Sequence, residues 1–143
     1  MNTMGILICG HGSRSKAAEQ EFGSLVRGIE KHFPDNPVRH GFLEYSAPNI
    51  HMGLDSLREA GVSKIIAIPG MLFAATHTKN DIPSVLISYQ EKHKKLTIKY
   101  GRELGLHPNM IDAFKVRILE ALTLQQCQPG DLYDTMLVVV GRG

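Results

Sequence analysis

Two cysteines are all the chain contains. Cys9 and Cys127 lie far apart and form no C-x-x-C pair. That excludes a disulfide framework and fits a reducing compartment. Cys9 sits inside an apolar run and reads as a small core residue. Charge of one sign is scarce as well: a formal net charge of +2 is too small to argue for nucleic acid. Lys and Arg are scattered, aromatic residues do not alternate with them, and His93-Lys94-Lys95 reads as a solvated helix end. The N-terminal MNTMGILICGHG has no basic stretch ahead of its apolar segment, which is too short for a signal peptide or a membrane span. The expectation is a soluble cytoplasmic protein with neither nucleic acid nor membrane as partner.

Several catalytic signatures are missing too. The glycine-rich stretch GHGSR, residues 10 to 14, lacks the G-x-x-x-x-G-K-[ST] of a phosphate loop and the third glycine of a dinucleotide fingerprint. It is no G-x-S-x-G elbow, so Ser13 is a poor nucleophile and reads instead as a helix cap or a ligand contact. No H-E-x-x-H helix provides paired metal ligands.

What is present suits one domain: 143 residues, 43% hydrophobic and 21% charged. Apolar runs predict strands at 5–9, 38–43, 64–69 and 96–100, with a fifth at 135–140. The first, third and fifth are nearly continuous in Ile, Leu and Val, as in a parallel sheet covered on both faces. Helical periods fill the gaps. Ala18, Phe22, Leu25, Val26, Ile29 and Phe33 mark the first helix; Ile50, Leu54 and Leu57 mark the second, with Ser46 as its expected N-cap and Gly61 as its end. A third is expected from Asn80 or Asp81, and a fourth from Pro108, carrying Ile111, Phe114, Ile118 and Leu122. This is a β-α-β-α-β-α-β-α-β order, an α/β fold with a doubly wound, four- to five-stranded parallel sheet in a three-layer α-β-α sandwich. One domain spans residues 1–143. TMLVVVGRG near the end echoes MGILICGHG, so residues 135–143 read as the start of a second repeat.

Ligands of such sheets bind beyond the carboxyl ends of the strands. Those loops carry His11, Ser13 and Arg14 after the first strand, Glu44 after the second, and His77, Lys79 and Asp81 after the third. Two imidazoles and a carboxylate thus converge on one sheet edge. Residue types of this kind suit a borderline divalent metal in an open site, or proton transfer near neutral pH. The other histidines read as structural: His32 and His93 near helix ends, His51 on a solvated face, His40 further down the second strand, and His107 as a cap before Pro108.

Three stretches, GHGSR, FLEYSAPNI and HTKNDIP, together with YGRELGLHPNMIDAFKVR, resemble the sirohydrochlorin chelatases in order and in register with their strands. That family inserts cobalt, iron or nickel into a reduced tetrapyrrole for cobalamin, sirohaem or the nickel cofactor of methanogens. The likeness runs from about residue 4 to about residue 117. It implies a flavodoxin-like, chelatase-like half and a metal-inserting lyase, with His11, His77 and Glu44 as metal-site and catalytic residues. It places Ser13 and Arg14 toward the tetrapyrrole, and Lys79 is expected with Arg14 to pair with carboxylates at the pocket rim. Thr76 stands where related sequences often have glycine. The metal, Co2+ or alternatively Fe2+ or Ni2+, is implied as a substrate, with no permanently bound cofactor. Short members pair as homodimers and long members hold two such domains, so a second copy or a second domain is expected as partner. Two other readings stay open: a noncatalytic metal- or tetrapyrrole-binding half-domain, and an anion-binding α/β domain built on the Gly12–Ser13 helix start.

Overall fold

A computed structural model of the chain describes residues 4–124 and 136–141. Two compact units are distinguished, residues 1–105 and 106–143.

The first unit holds four strands, β1 (Met4–Gly10), β2 (Val38–Phe42), β3 (Lys64–Pro69) and β4 (Thr97–Tyr100). All pair in parallel, in the order β2-β1-β3-β4. Leu7, Cys9, Ile65 and Ala67 face one side and pack on α2 (Ile50–Glu59) and α3 (Ile82–Lys92) through Leu54, Leu57, Ile82 and Leu86. Ile6, Ile8 and Ile68 face the other side and pack on α1 (Lys16–Glu30) through Phe22, Val26 and Ile29. The central strands β1 and β3 are therefore covered on both faces, which is why their sequences are apolar nearly throughout, whereas the edge strands VRHGF and TIKY are mixed. Burying each such aliphatic side chain contributes about 1.5–3 kcal/mol over leaving it exposed.

Register decides where the loops emerge. Gly10 lies level with Phe42, Cys9 with Pro69, and Ala67 with Tyr100. All four strands end at one edge, and the strand order reverses between β1 and β3. That crevice is the place where open parallel sheets take ligands.

The helix ends follow local chemistry, with some corrections. The cap of α1 is Ser15, whose side chain accepts from the Ala18 N–H; Ser13 is not the cap. The cap of α2 is Asn49, accepting from the Met52 N–H, so Pro48 lies ahead of the helix and Ser46 is used elsewhere. Asn49 stands next to the first helical residue, where its carboxamide reaches the unpaired amides, whereas Ser46 lies too far ahead. Gly61, at φ +79°, closes α2 as expected: its N–H reaches the Arg58 carbonyl and that of Val62 reaches the Leu57 carbonyl.

Among the described residues a fifth strand is not found. Residues 136–140 have no strand pairing, and Met136 to Val140 are exposed; Thr135 lies outside the described residues, as does Cys127. An apolar run becomes a strand only where a neighbouring backbone supplies hydrogen bonds. In the second unit, α4 (Pro108–Leu124) forms as expected, and His107 Nδ1 accepts from the Asn109 N–H at its start. Ile111 and Phe114, read as a core-facing stripe, are exposed on it. Among the described residues no helix is long and apolar enough to cross a membrane.

Candidate metal centre

Main-chain pairing sets the first half of the site. Beyond the sheet edge, the Leu43 N–H donates to Gly10 O and the Glu44 N–H to His11 O. The two loops continue side by side, so Glu44 arrives next to His11. Gly12 makes this approach possible. It stands at φ +97°, and a β-carbon there would sit 1.6 Å from the Glu44 carbonyl oxygen. Ser46 staples the same loops, accepting from the Ser13 N–H and donating to the Ser13 carbonyl. Tyr45 takes a left-handed backbone, φ +65°, and its exposed ring lies under the Arg14 guanidinium at 4.9 Å.

Side chains set the second half. His77 opens a single π-helical turn, His77–Asp81, in which the Ile82 N–H reaches back to His77 O. Pro83 follows; it lacks an N–H and its ring crowds the carbonyl four residues earlier, so the turn ahead of it winds wider. Thr78 is buried and its hydroxyl both accepts from the Ala75 N–H and donates to the Ala75 carbonyl. From β4, the Tyr100 hydroxyl donates to the Thr78 carbonyl at 2.8 Å, and burial pushes this phenol up to about 12. Thr76 lies in the ordinary right-handed region, φ −50°, which a threonine adopts without strain.

The two halves meet at three atoms. His11 Nε2 stands 3.2 Å from His77 Nε2 and 3.2 Å from Glu44 Oε1, and all three ligand atoms fall within 4.8 Å of one another. Donors about 2.1 Å from a shared ion stand about 3.0–3.4 Å apart at octahedral or tetrahedral angles. The outer ring nitrogens are engaged: His11 Nδ1 lies 3.1 Å from the Gly12 carbonyl and His77 Nδ1 2.6 Å from Asp81 Oδ2. Oxygen only accepts in both contacts, so each Nδ1 donates outward and each Nε2 is left facing the cluster. Three electron-rich atoms facing one another call for a cation or a shared proton between them. The side chains are about two-fifths exposed, 35% for His11 and 42% for Glu44, so the site is open.

The convergence of His11, Glu44 and His77 expected from the strand ends is thus present. Arg14 stands at the rim over Tyr45, and Lys79 is exposed in the π-helical turn. Ser13 lies beside them with its hydroxyl accepting from the Ser15 N–H, a turn contact. His40 stays away, between Phe22 and Phe42; burial and the nearby Arg27 charge lower its pKa below 6.5, against a smaller opposing effect of Glu19. Sequence reasoning gave no role to Thr78 or Tyr100, placed Asp81 on this edge without a partner, and read Ser46 as a helix cap. Only for Asp81 was there a local signal, its place four residues after His77 on a helical turn.

The family model for CbiX matches residues 5–121. The chain belongs to the CbiX family. Its CbiX relatives include the sirohydrochlorin ferrochelatase of Bacillus subtilis, 30% identical over 96% of this chain and 50% of that protein. Another is the sirohydrochlorin cobaltochelatase of Methanococcoides burtonii, 31% identical over 83% of this chain and 97% of that protein. Among solved structures, the sirohydrochlorin chelatase SirB from Bacillus subtilis subspecies spizizenii in complex with cobalt superposes with a TM-score of 0.80. It is 30% identical to this chain, covering 82% of it and 50% of SirB. The chain spans about half the length of the first curated relatives it matches.

Proposed function

We propose that this chain inserts a divalent metal, Co2+ or alternatively Fe2+ or Ni2+, into sirohydrochlorin in the cytoplasm, as a step toward cobalamin or sirohaem. One observation carries the reading: His11 Nε2, His77 Nε2 and Glu44 Oε1 converge with both outer ring nitrogens already hydrogen-bonded. The family and the relatives' names support it.

In this reading the metal and the tetrapyrrole are both substrates. Metal insertion exchanges one divalent ion for two pyrrole protons, with no redox change. His11 and His77 hold the ion by their inward lone pairs and, as the ion passes to the ring nitrogens and frees those lone pairs, take up the two departing pyrrole protons. Glu44 adds negative charge, which loosens the ion's hold on its remaining water and favours proton removal. The hollow between the first loop and α1 is only about 150 Å³. That is below the roughly 300–1,000 Å³ of an ordinary ligand pocket. In this reading the macrocycle lies across the rim, where Tyr45, Leu72 and Phe73 are exposed. Arg14, Lys79 and Ser13 would meet its carboxylates there. Two imidazoles and one carboxylate accept several borderline metals, so the ion inserted follows supply as much as ligand preference.

We also propose that the working particle contains two such units, either a second copy of the chain or a second repeat opening at residue 135. The half-length match to the Bacillus subtilis relative supports this arrangement. It also favours a second reading, in which this unit binds metal and tetrapyrrole but turns over only beside its partner. The two readings separate in one experiment. The full-length protein is mixed with metal-free sirohydrochlorin and Co2+ or Fe2+, the metallated spectrum is followed against a protein-free control, and the particle is sized in parallel. Acceleration is expected; none from a correctly assembled particle overturns the enzyme reading. Replacing His77 with alanine is expected to cut the rate by on the order of 100-fold or more. An unchanged rate removes His77 from the mechanism.

A further inference from the structure

The two imidazoles are held by unlike partners. His11 Nδ1 faces a neutral main-chain carbonyl at 3.1 Å, whereas His77 Nδ1 faces the Asp81 carboxylate at 2.6 Å. We propose that Asp81 is a positioning residue that fixes the His77 ring and strengthens its Nε2 as the principal cation ligand. The inference deepens the cation-site reading above and rests on it.

The bland alternative is a surface ion pair four residues apart on a helix, of little consequence. Three features argue against it. The contact is shorter than an ordinary N–H···O bond and lies at the short end even of charge-assisted ones, which run at about 2.7–2.9 Å. It engages Nδ1, the ring nitrogen turned away from His11 and Glu44, and so leaves the opposite nitrogen in the cluster. The segment between the two residues is pinned from the other side by buried Thr78 and by the Tyr100 hydroxyl, so Asp81 is presented on a fixed turn.

The physical consequence has two parts. A carboxylate at Nδ1 selects the Nδ1–H tautomer, which leaves Nε2 as the lone-pair atom. Its negative charge also pushes electron density through the ring and raises the ligand strength of Nε2. His11, backed by a carbonyl, receives the first effect and much less of the second. An ion approaching the pair therefore meets a stronger and a weaker nitrogen, an asymmetry suited to holding a metal that must afterwards leave for the tetrapyrrole.

The test uses the full-length protein with Co2+ alone, followed by its visible absorption, and nitrogen-15 NMR of the metal-free histidines. Wild type is expected to show His77 as the Nδ1–H tautomer. In Asp81→Ala the tautomer preference is lost and Co2+ affinity falls by about 10–100-fold. In Asp81→Asn the amide oxygen still accepts, so the tautomer is kept and affinity falls less. Unchanged Co2+ affinity in Asp81→Ala overturns the proposal, as does an Nε2–H tautomer in wild type. Equal losses in both variants overturn the positioning part and leave only charge. Should wild type bind no Co2+, the cation-site reading fails separately, and the His77 tautomer in wild type and Asp81→Ala still decides whether Asp81 orients the ring.

Discussion

The loop after β1 and the connection after β3 each deliver one histidine to the same point, by opposite means. The first is short and is placed by main chain: Gly10 and His11 carbonyls pair with the Leu43 and Glu44 amides, and Gly12 admits the Glu44 carbonyl. The second is long and is placed by side chains: Thr78, Tyr100 and Asp81 hold the turn around His77. A backbone-built loop tolerates changes of most side chains and fails at one glycine. A side-chain-built turn fails by degrees, as its hydrogen bonds are removed one at a time.

The largest effect is expected from the first region. In Gly12→Ala the new methyl meets the Glu44 carbonyl oxygen at 1.6 Å and the backbone must leave its positive φ. Either shift moves Glu44 away from His11. A displacement of about 1 Å costs on the order of 100-fold in rate, to be read in the metallation assay, with Co2+ absorption showing whether the ligand cluster is broken. Activity equal to wild type would show that the loop pairing does not set the site.

A smaller effect is expected in the second region. Thr78→Val keeps the shape but withdraws the hydroxyl that serves both the Ala75 N–H and its carbonyl. The Ala75 carbonyl still accepts from the Lys79 N–H, so the loss is that of an ordinary hydrogen bond, about 0.5–1.5 kcal/mol, measured as a lower denaturation midpoint. The rate should fall less than in Gly12→Ala, because Asp81 and Tyr100 still act on the turn. A rate loss as severe as that of Gly12→Ala would erase the distinction between the two loops.

The smallest effect concerns pH and the α1 side of the sheet, beneath the first loop. The pKa of His40 is lowered from 6.5 by burial and by Arg27. The unfolded chain therefore takes up this proton first as pH falls. The contribution is fully present above 6.5 and is lost progressively as pH drops below it. Denaturation at a series of pH values should show stability declining below that point, and His40→Gln should flatten the decline. An unchanged slope in the variant would assign the acid sensitivity elsewhere.

Legibility differed between these regions for a physical reason. Alternating strands and helices place every loop at a known end of the sheet, so His11, Glu44 and His77 could be brought together from chain order alone. Their partners could not. Asp81 was visible only as a carboxylate near a helix start, and Tyr100 only as the last residue of a strand. Their bonds depend on a π-helical turn, which has no local pattern, and on a contact from the neighbouring strand across 22 positions of chain, which chain order does not reveal. Ser46 read as a helix cap because it precedes an apolar period, whereas its hydroxyl is taken by Ser13 across 33 positions of chain. The run at 136–140 read as a strand by composition and has no strand pairing in the structure.

The chain by itself determined the parallel sheet, the helices on both faces and the edge at which chemistry is assembled, because hydrophobic period and strand order are local properties. Only the tertiary structure decided the 3.2 Å spacing of the inward atoms and the unequal partners behind the two imidazoles. Those depend on hydrogen bonds between residues far apart in sequence, whose geometry is set when the loops pack.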